Sequence, residues 1–311
     1  MKNYGNKTKI TSVEVTNDTL TSRGGLAPFA RYLTSVGILK ILGIHFRQLR
    51  KSSKGKDIEV LFKQCLCWLM DGTSRHLTYF DQLQGDNGYA ATLELQQADL
   101  ASSHSIKRFF RSFQIGSSEK FRKILSQLFS WRLKIDMPRI IELTIDTMVM
   151  DNNEAKSRHG VKPTYKKKLG FQPLHAIWNG FIVDAMFRNG KTNGNSGDAV
   201  LQMIRRLVKL IRETSVETKL IIIRLDAGFF DEKILKLCNE LGVACIMSGK
   251  MYQTIKDHVV KYKYGEWQRY ENARQSWNYI EFDWGNTIEP STRGPSTKKV
   301  KGCWDSQDLI M

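Results

Sequence analysis

The chain has 311 residues, 41% of them apolar and seven of them tryptophan, which excludes a disordered polypeptide and allows one large or two moderate domains. Its 48 Lys and Arg against 31 Asp and Glu leave a formal charge of +17, which favours a polyanionic partner. No apolar run approaches the ~18 residues of a membrane span, and the opening "MKNYGNKTKITSVEV" lacks the apolar centre of a signal peptide, so nucleic acid is the expected partner and the cytoplasm the expected compartment.

The first third reads as helical. "PFARYLTSVGILKILGIHF" (28–46) and "DIEVLFKQCLCWLM" (57–70) carry apolar residues near helical spacing, and a turn-rich segment follows at 71–89. In "ASSHSIKRFFRSF" (101–113), Ser102 or Ser103 can cap a helix whose apolar stripe is Ile106, Phe109, Phe110 and Phe113. Lys107, Arg108 and Arg111 then form a basic face, as in the recognition helix of a helix-turn-helix unit. The five cysteines show no two-residue gap and are expected to be reduced, structural thiols.

From about residue 138 the pattern changes. "RIIELTIDTMVM" (139–150) alternates like a strand, and "PLHAIWNGFIVDAMFRNG" (173–190) reads as two strands joined at Asn179-Gly180. A helix at 196–213, capped by Ser196, presents apolar positions 200, 201, 204, 207, 208 and 211. "KLIIIRLDAGFF" is a strand, 231–242 a helix closed by Gly242, and "VACIMS" (243–248) another strand. The expectation is an α/β fold: helical region 1–137, a mixed β-sheet flanked by helices over 138–262, and an irregular segment 263–311.

Asp146 and Asp226 each stand near the end of an apolar strand, and the first and fourth strands of such a sheet commonly lie side by side. Two unpaired carboxylates so near an apolar core would repel one another, and their burial would cost several kcal/mol. A divalent cation relieves that repulsion, and Mg²⁺ needs only one or two protein carboxylates besides water and phosphate oxygens. Thr147, Ala227 and Gly228 leave room for such ligands. The insertion "AKSRHGVKPTYKKKLGF" (155–171) places Lys162, Lys166, Lys167 and Lys168 around Tyr165 without an acid, which suits a nucleic-acid backbone and a stacked base. The plainer alternative for this stretch is a solvated basic loop. "NGKTNG" (189–194) ends like a P-loop, but Ala185 occupies the position of its first glycine.

Taken together these blocks resemble the DDE transposases of bacterial insertion sequences, which have a ribonuclease-H-like catalytic core. "LTSRGGLAPFARYL", "SSHSIKRFFRSF", "LTIDTM", "YKKKLGFQPLHAIWNG", "FRNGKTNGNSGDA" and "IIIRLDAGFFDEKILKLCNELGV" follow that pattern in order over most of residues 10–260. The resemblance implies that Asp146 and Asp226 are the first two acids of the DDE triad and bind Mg²⁺ or Mn²⁺, two ions in a complete enzyme. It implies double-stranded DNA as partner, terminal inverted repeats and target alike, a dimer in the active complex, and a nucleoid-associated place in the cytoplasm. Arg188 joins the DNA-binding candidates. The family's third acid, a glutamate on a later helix, would fall beyond Met311, and Glu271, Glu281 and Glu289 lie too close to Asp226. The resemblance therefore implies a chain truncated at its C-terminus. The alternatives are an inactive, DNA-binding remnant and another ribonuclease-H-like nuclease.

Overall fold

The computed structural model describes residues 18, 20–52, 55–114, 116–192 and 198–249, with scattered residues among 253–279. Two compact units emerge, Met1–Gln127 and Leu128–Met311.

The first unit packs α1 (Ala27–Ser35), α2 (Ile38–Phe46), α3 (Ile58–Asp71), α4 (Tyr79–Gln84), α5 (Asn87–Thr92) and α6 (Ser103–Arg111) around one apolar core. The helical run expected over 28–46 is two helices. Gly37, at φ +70°, takes a left-handed conformation that favours glycine and turns the chain between them. The stretch read as turn-rich holds α4 and the start of α5. Helix α6 begins where Ser102 Oγ accepts a hydrogen bond from Ser105 N. It is tied to α4 because Ser103 N and Oγ both donate to the Asp81 carboxylate, at 2.8 and 2.7 Å. Of its expected stripe, Ile106 and Phe109 are buried and Phe113 is partly so, but Phe110 points outward at 43% exposure. A nine-residue helix packed by one edge buries only part of its apolar set.

Helix α7 (Ser117–Asp136) crosses the division between the units. Ile124 belongs to the first core, and Phe129 and Leu133 to the second. The second unit then runs β1 (Ile140–Thr147), β2 (Met150–Asp151), β3 (Lys162–Pro163), β4 (Leu169–Phe171), β5 (Leu174–Trp178), β6 (Phe181–Met186), α8 (Ala199–Thr214), β7 (Leu220–Leu225), α9 (Glu232–Glu240), β8 (Ala244–Met247), β9 (Gln268–Glu271) and β10 (Ser276–Tyr279).

The main sheet has the order β6-β5-β1-β7-β8. Strands β1, β5 and β6 pair antiparallel, whereas β7 lies parallel to both β1 and β8. The β5–β6 hairpin turns at Asn179 (φ +48°) and Gly180 (φ +80°), the two left-handed residues that the Asn-Gly pair supplies. Alternation decides which side of the sheet is dry. Ile141, Leu143 and Ile145 of β1 and Ile221, Ile223 and Leu225 of β7 face the core, which α8 closes with Val200, Met203, Ile204, Leu207, Val208 and Ile211. Each fully buried side chain of this kind contributes about 1.5–3 kcal/mol on leaving water. Ser196, expected to cap α8, lies outside the described residues.

Two local sheets were not expected. A three-stranded one, β2-β4-β3, folds the basic insertion, and β9 with β10 forms an antiparallel ribbon where an irregular segment was anticipated. Residues 280–311, including Cys303, Glu281 and Glu289, lie outside the described residues. The other four cysteines are free thiols, and burial pushes Cys65 up to about 12 and Cys67 up to about 11.

Candidate active site and nucleic-acid interface

The parallel register of β1 and β7 runs Ile140 to Ile145 against Leu220 to Leu225. One step beyond the last pair, Ile145 and Leu225, come Asp146 and Asp226. The two aspartates therefore stand at neighbouring strand ends, across a strand spacing of about 4.8 Å. The hydrophobic alternation that buries Ile145 and Leu225 turns both carboxylates to the opposite side, and both residues are exposed. Burial of the pair beside the apolar core, the expected cost, is thus not the condition at this site. Period-two geometry forces the difference: a residue next to a core-facing one cannot face the core.

Each carboxylate is fixed by backbone donors. Asp146 Oδ1 accepts from Thr147 N at 2.6 Å, and Asp226 Oδ1 accepts from Gly228 N at 3.0 Å. Asp226 caps a 3₁₀ turn, Ala227–Phe229, whose Phe229 plunges into the core at 1% exposure and pins the turn. A Cβ on Gly228 would stand 3.1 Å from Asp226 Oδ1, so the glycine keeps the space beside that oxygen clear. Two exposed carboxylates at adjoining strand ends, with open space beside one of them, suit a hard divalent cation that retains water. Among the described residues no three His, Cys, Asp or Glu side chains gather into a metal-holding group. Glu271, the third-acid candidate within the described residues, lies on β9 and pairs with Arg269 at 3.2 Å.

One neighbour escaped the sequence reading. His175 of β5 sits directly opposite Asp146 in the antiparallel register, and directly opposed residues share a face. Burial lowers its pKa, with Asp146 pulling it up and Arg188 pushing it down. The alternation of "PLHAIW" puts His175 opposite in phase to the buried Leu174 and Ala176, but only the pairing of β5 with β1 reveals its partner.

The small sheet grows from the same end of β1. Met148 N donates to Pro173 O, Met150 pairs with Phe171, and Leu174 pairs with Thr147. Strands β3 and β4 form a hairpin whose loop exposes Tyr165, Lys166, Lys167 and Lys168 together, with Lys162 exposed on β3. Lys166 Nζ lies 5.7 Å from the Tyr165 ring centroid. Lys168 is also engaged by Asp151, at 3.1 Å. The loop is closely braced: Thr164 N and Oγ1 both donate to Lys168 O, and Lys167 N donates to Thr164 O. Glycines permit its close packing. A Cβ on Gly170 would meet Met150 O at 2.0 Å, and one on Gly190 would meet Lys162 O at 2.1 Å. Gly190, the glycine of the false P-loop, is thus a packing residue.

Arg188 is the candidate that the structure moves elsewhere. It is 8% exposed, and its Nε donates to Gln172 O at 3.0 Å. A guanidinium held there braces the link between β4 and β5, where Gln172 N also donates to Arg188 O, and its burial leaves it closed to a phosphate. In the first unit, Arg108 and Arg111 are exposed on α6 and Lys107 is half-buried.

Residues 4–293 match a family described as transposase DDE domain group 1. No curated protein matches significantly. Among solved structures, a piggyBac transposase synaptic complex with hairpin DNA superposes with a TM-score of 0.35 at 12% identity, covering 85% of this chain and 59% of that one. A pre-cleavage Mos1 transpososome gives 0.23 at 10% identity over 76% and 81% of the two chains. A Mos1 mariner paired-end complex with Mn gives 0.23 at 11% over 78% and 90%. The chain thus spans about three-fifths of the piggyBac chain, and superpositions this shallow do not bear on its function.

Proposed function

The chain belongs to the transposase DDE domain family, group 1, and from that membership we propose that it acts on DNA as a transposase, cutting phosphodiesters at element ends and joining the freed strand to target DNA. The observation that carries the reading is the β1–β7 register, which brings Asp146 and Asp226 to adjoining strand ends.

In this reading Asp146 and Asp226 would hold Mg²⁺ or Mn²⁺, two ions in a complete enzyme, and the bound metal would supply an activated oxygen nucleophile and stabilise the leaving oxygen. The chain's own part is positioning. The Thr147 and Gly228 amides fix the two carboxylates, the apolar strands behind them hold the strand ends rigid, and Lys162, Lys166 and Lys167 neutralise backbone phosphates beside them. Arg108 and Arg111 provide a separate basic face on α6. Pairing two element ends calls for two copies of the chain, acting in the cytoplasm on nucleoid DNA. No single helix among the described residues is long and apolar enough to cross a membrane.

The test is Mg²⁺- or Mn²⁺-dependent nicking of a duplex carrying the terminal repeats of the element that encodes the chain. Asp146→Asn and Asp226→Asn should each abolish nicking while DNA binding persists, and nicking retained in either variant removes that aspartate from the site. A second reading, DNA binding without cleavage, is favoured by the lack of a three-ligand cluster among the described residues. Binding by the wild-type chain with no metal-dependent nicking would select it.

A further inference from the structure

The basic hairpin has properties that a nonspecific phosphate clamp does not need. A clamp requires cations, which tolerate a loose loop. Here the loop is fixed by the paired bonds between Thr164 and Lys168 and by Tyr165 N donating to Gln172 Oε1 at 3.4 Å. Gln172 is itself 1% exposed and donates to Thr192 O at 2.6 Å, so the brace reaches into the packed interior of the small sheet. Lys167 sits at φ +58°, a left-handed conformation that a lysine adopts only when its surroundings impose it. The product of this bracing is an aromatic ring held out in solvent: Tyr165 is 59% exposed, between Lys162 on one strand and Lys166 and Lys167 beyond it.

Position adds to this. Nine steps of chain lead from Tyr165 to Leu174, which pairs with Thr147 beside Asp146, so the Tyr165 backbone lies within about 30 Å of that pair. At about 3.4 Å per nucleotide along one strand, that distance corresponds to roughly nine nucleotides. An exposed ring among cations is the arrangement by which proteins hold unpaired bases, because every base offers a π-face and the lysines track its backbone. In an intact duplex the base faces are already stacked and give such a ring nothing to cover.

We propose that Tyr165 stacks on an unpaired nucleobase within about nine nucleotides of the scissile phosphate, so that the substrate is DNA locally opened near the cut. This rests on the transposase reading and deepens it: Tyr165 is a positioning residue for one strand, and Lys162, Lys166 and Lys167 hold the phosphates on either side.

The experiment measures binding of the full chain, without divalent metal and at one fixed salt concentration, to three fluorescein-labelled probes. These are a fully paired duplex, the same duplex with a short internal run of unpaired thymines, and a thymine single strand. The wild-type chain should prefer the two probes with unpaired bases. Tyr165→Ala should weaken those two by roughly 5- to 150-fold while leaving the paired duplex nearly unchanged. Tyr165→Phe, which keeps the ring, should bind like wild type, and unchanged thermal unfolding of both variants would show that the loop substitution spares the fold. Equal weakening of all three probes by Tyr165→Ala, or an undiminished preference, overturns the stacking role and leaves the transposase reading intact. Failure of the wild-type chain to bind any of the DNAs overturns both.

Discussion

Gly170→Ala probes how the basic hairpin is held. An added Cβ at this position would stand 2.0 Å from Met150 O and 3.3 Å from Asp151 Cα. Non-bonded carbon and oxygen do not approach within 3.0 Å, so β2 and β4 must part by about 1 Å or more, at the register Met150↔Phe171 and Asp151↔Gly170. Overpacking of this kind costs roughly 1–3 kcal/mol. The offending atom is a backbone carbonyl and cannot swing aside as a side-chain end would. If the small sheet unfolds together with the second unit, the midpoint should fall by about 2–12 °C. Hydrogen exchange should accelerate over 150–171 before it does so in β1 or β7, and DNA affinity should drop as the loop loses its position. Gly116→Ala, where the new methyl meets nothing within 4 Å, is the control. A Gly170→Ala protein with wild-type melting, exchange and DNA affinity would refute the reasoning, since it would mean that the two strands are not closely packed.

Two further outcomes arise from the charges. Replacing Lys162, Lys166 and Lys167 by Ala should each lower the log–log salt slope of DNA binding by about 0.9, whereas Lys168→Ala should lower it less because Asp151 already engages that ammonium; equal slopes for all four would contradict this. Asp81, hydrogen-bonded twice by Ser103, titrates below the ordinary carboxylate range. A carboxylate depressed in the folded state contributes stability that is present above its unfolded value of about 4 and is lost as pH falls through the lowered value. Asp81→Asn should therefore melt earlier at neutral pH, with the gap to wild type closing in acid, as followed by circular dichroism; a gap that is constant with pH would show that the carboxylate charge is not what ties α6 to α4.

Local pattern alone determined much of the second unit. The alternation of "IIELTID" and "IIIRLD" dictates which side chains can face a core, the Asn-Gly pair supplies the two left-handed residues a tight hairpin needs, and the stripe of α8 closes the sheet almost as its spacing predicts. The order of the elements already placed the first and fourth strands side by side, so the adjacency of Asp146 and Asp226 was also legible. The tertiary structure decided the rest. Strands of two or three residues carry no period, so the small sheet could not be read from its residues; it exists because Gly170 and Gly190 let backbones touch. The burial of Arg188, the engagement of Lys168 by Asp151 and the placing of His175 against Asp146 are all set by where the chain folds back on itself. A sequence fixes the chemistry each residue brings and the face it shares with its neighbours, but which distant groups meet is a property of the packed sheet.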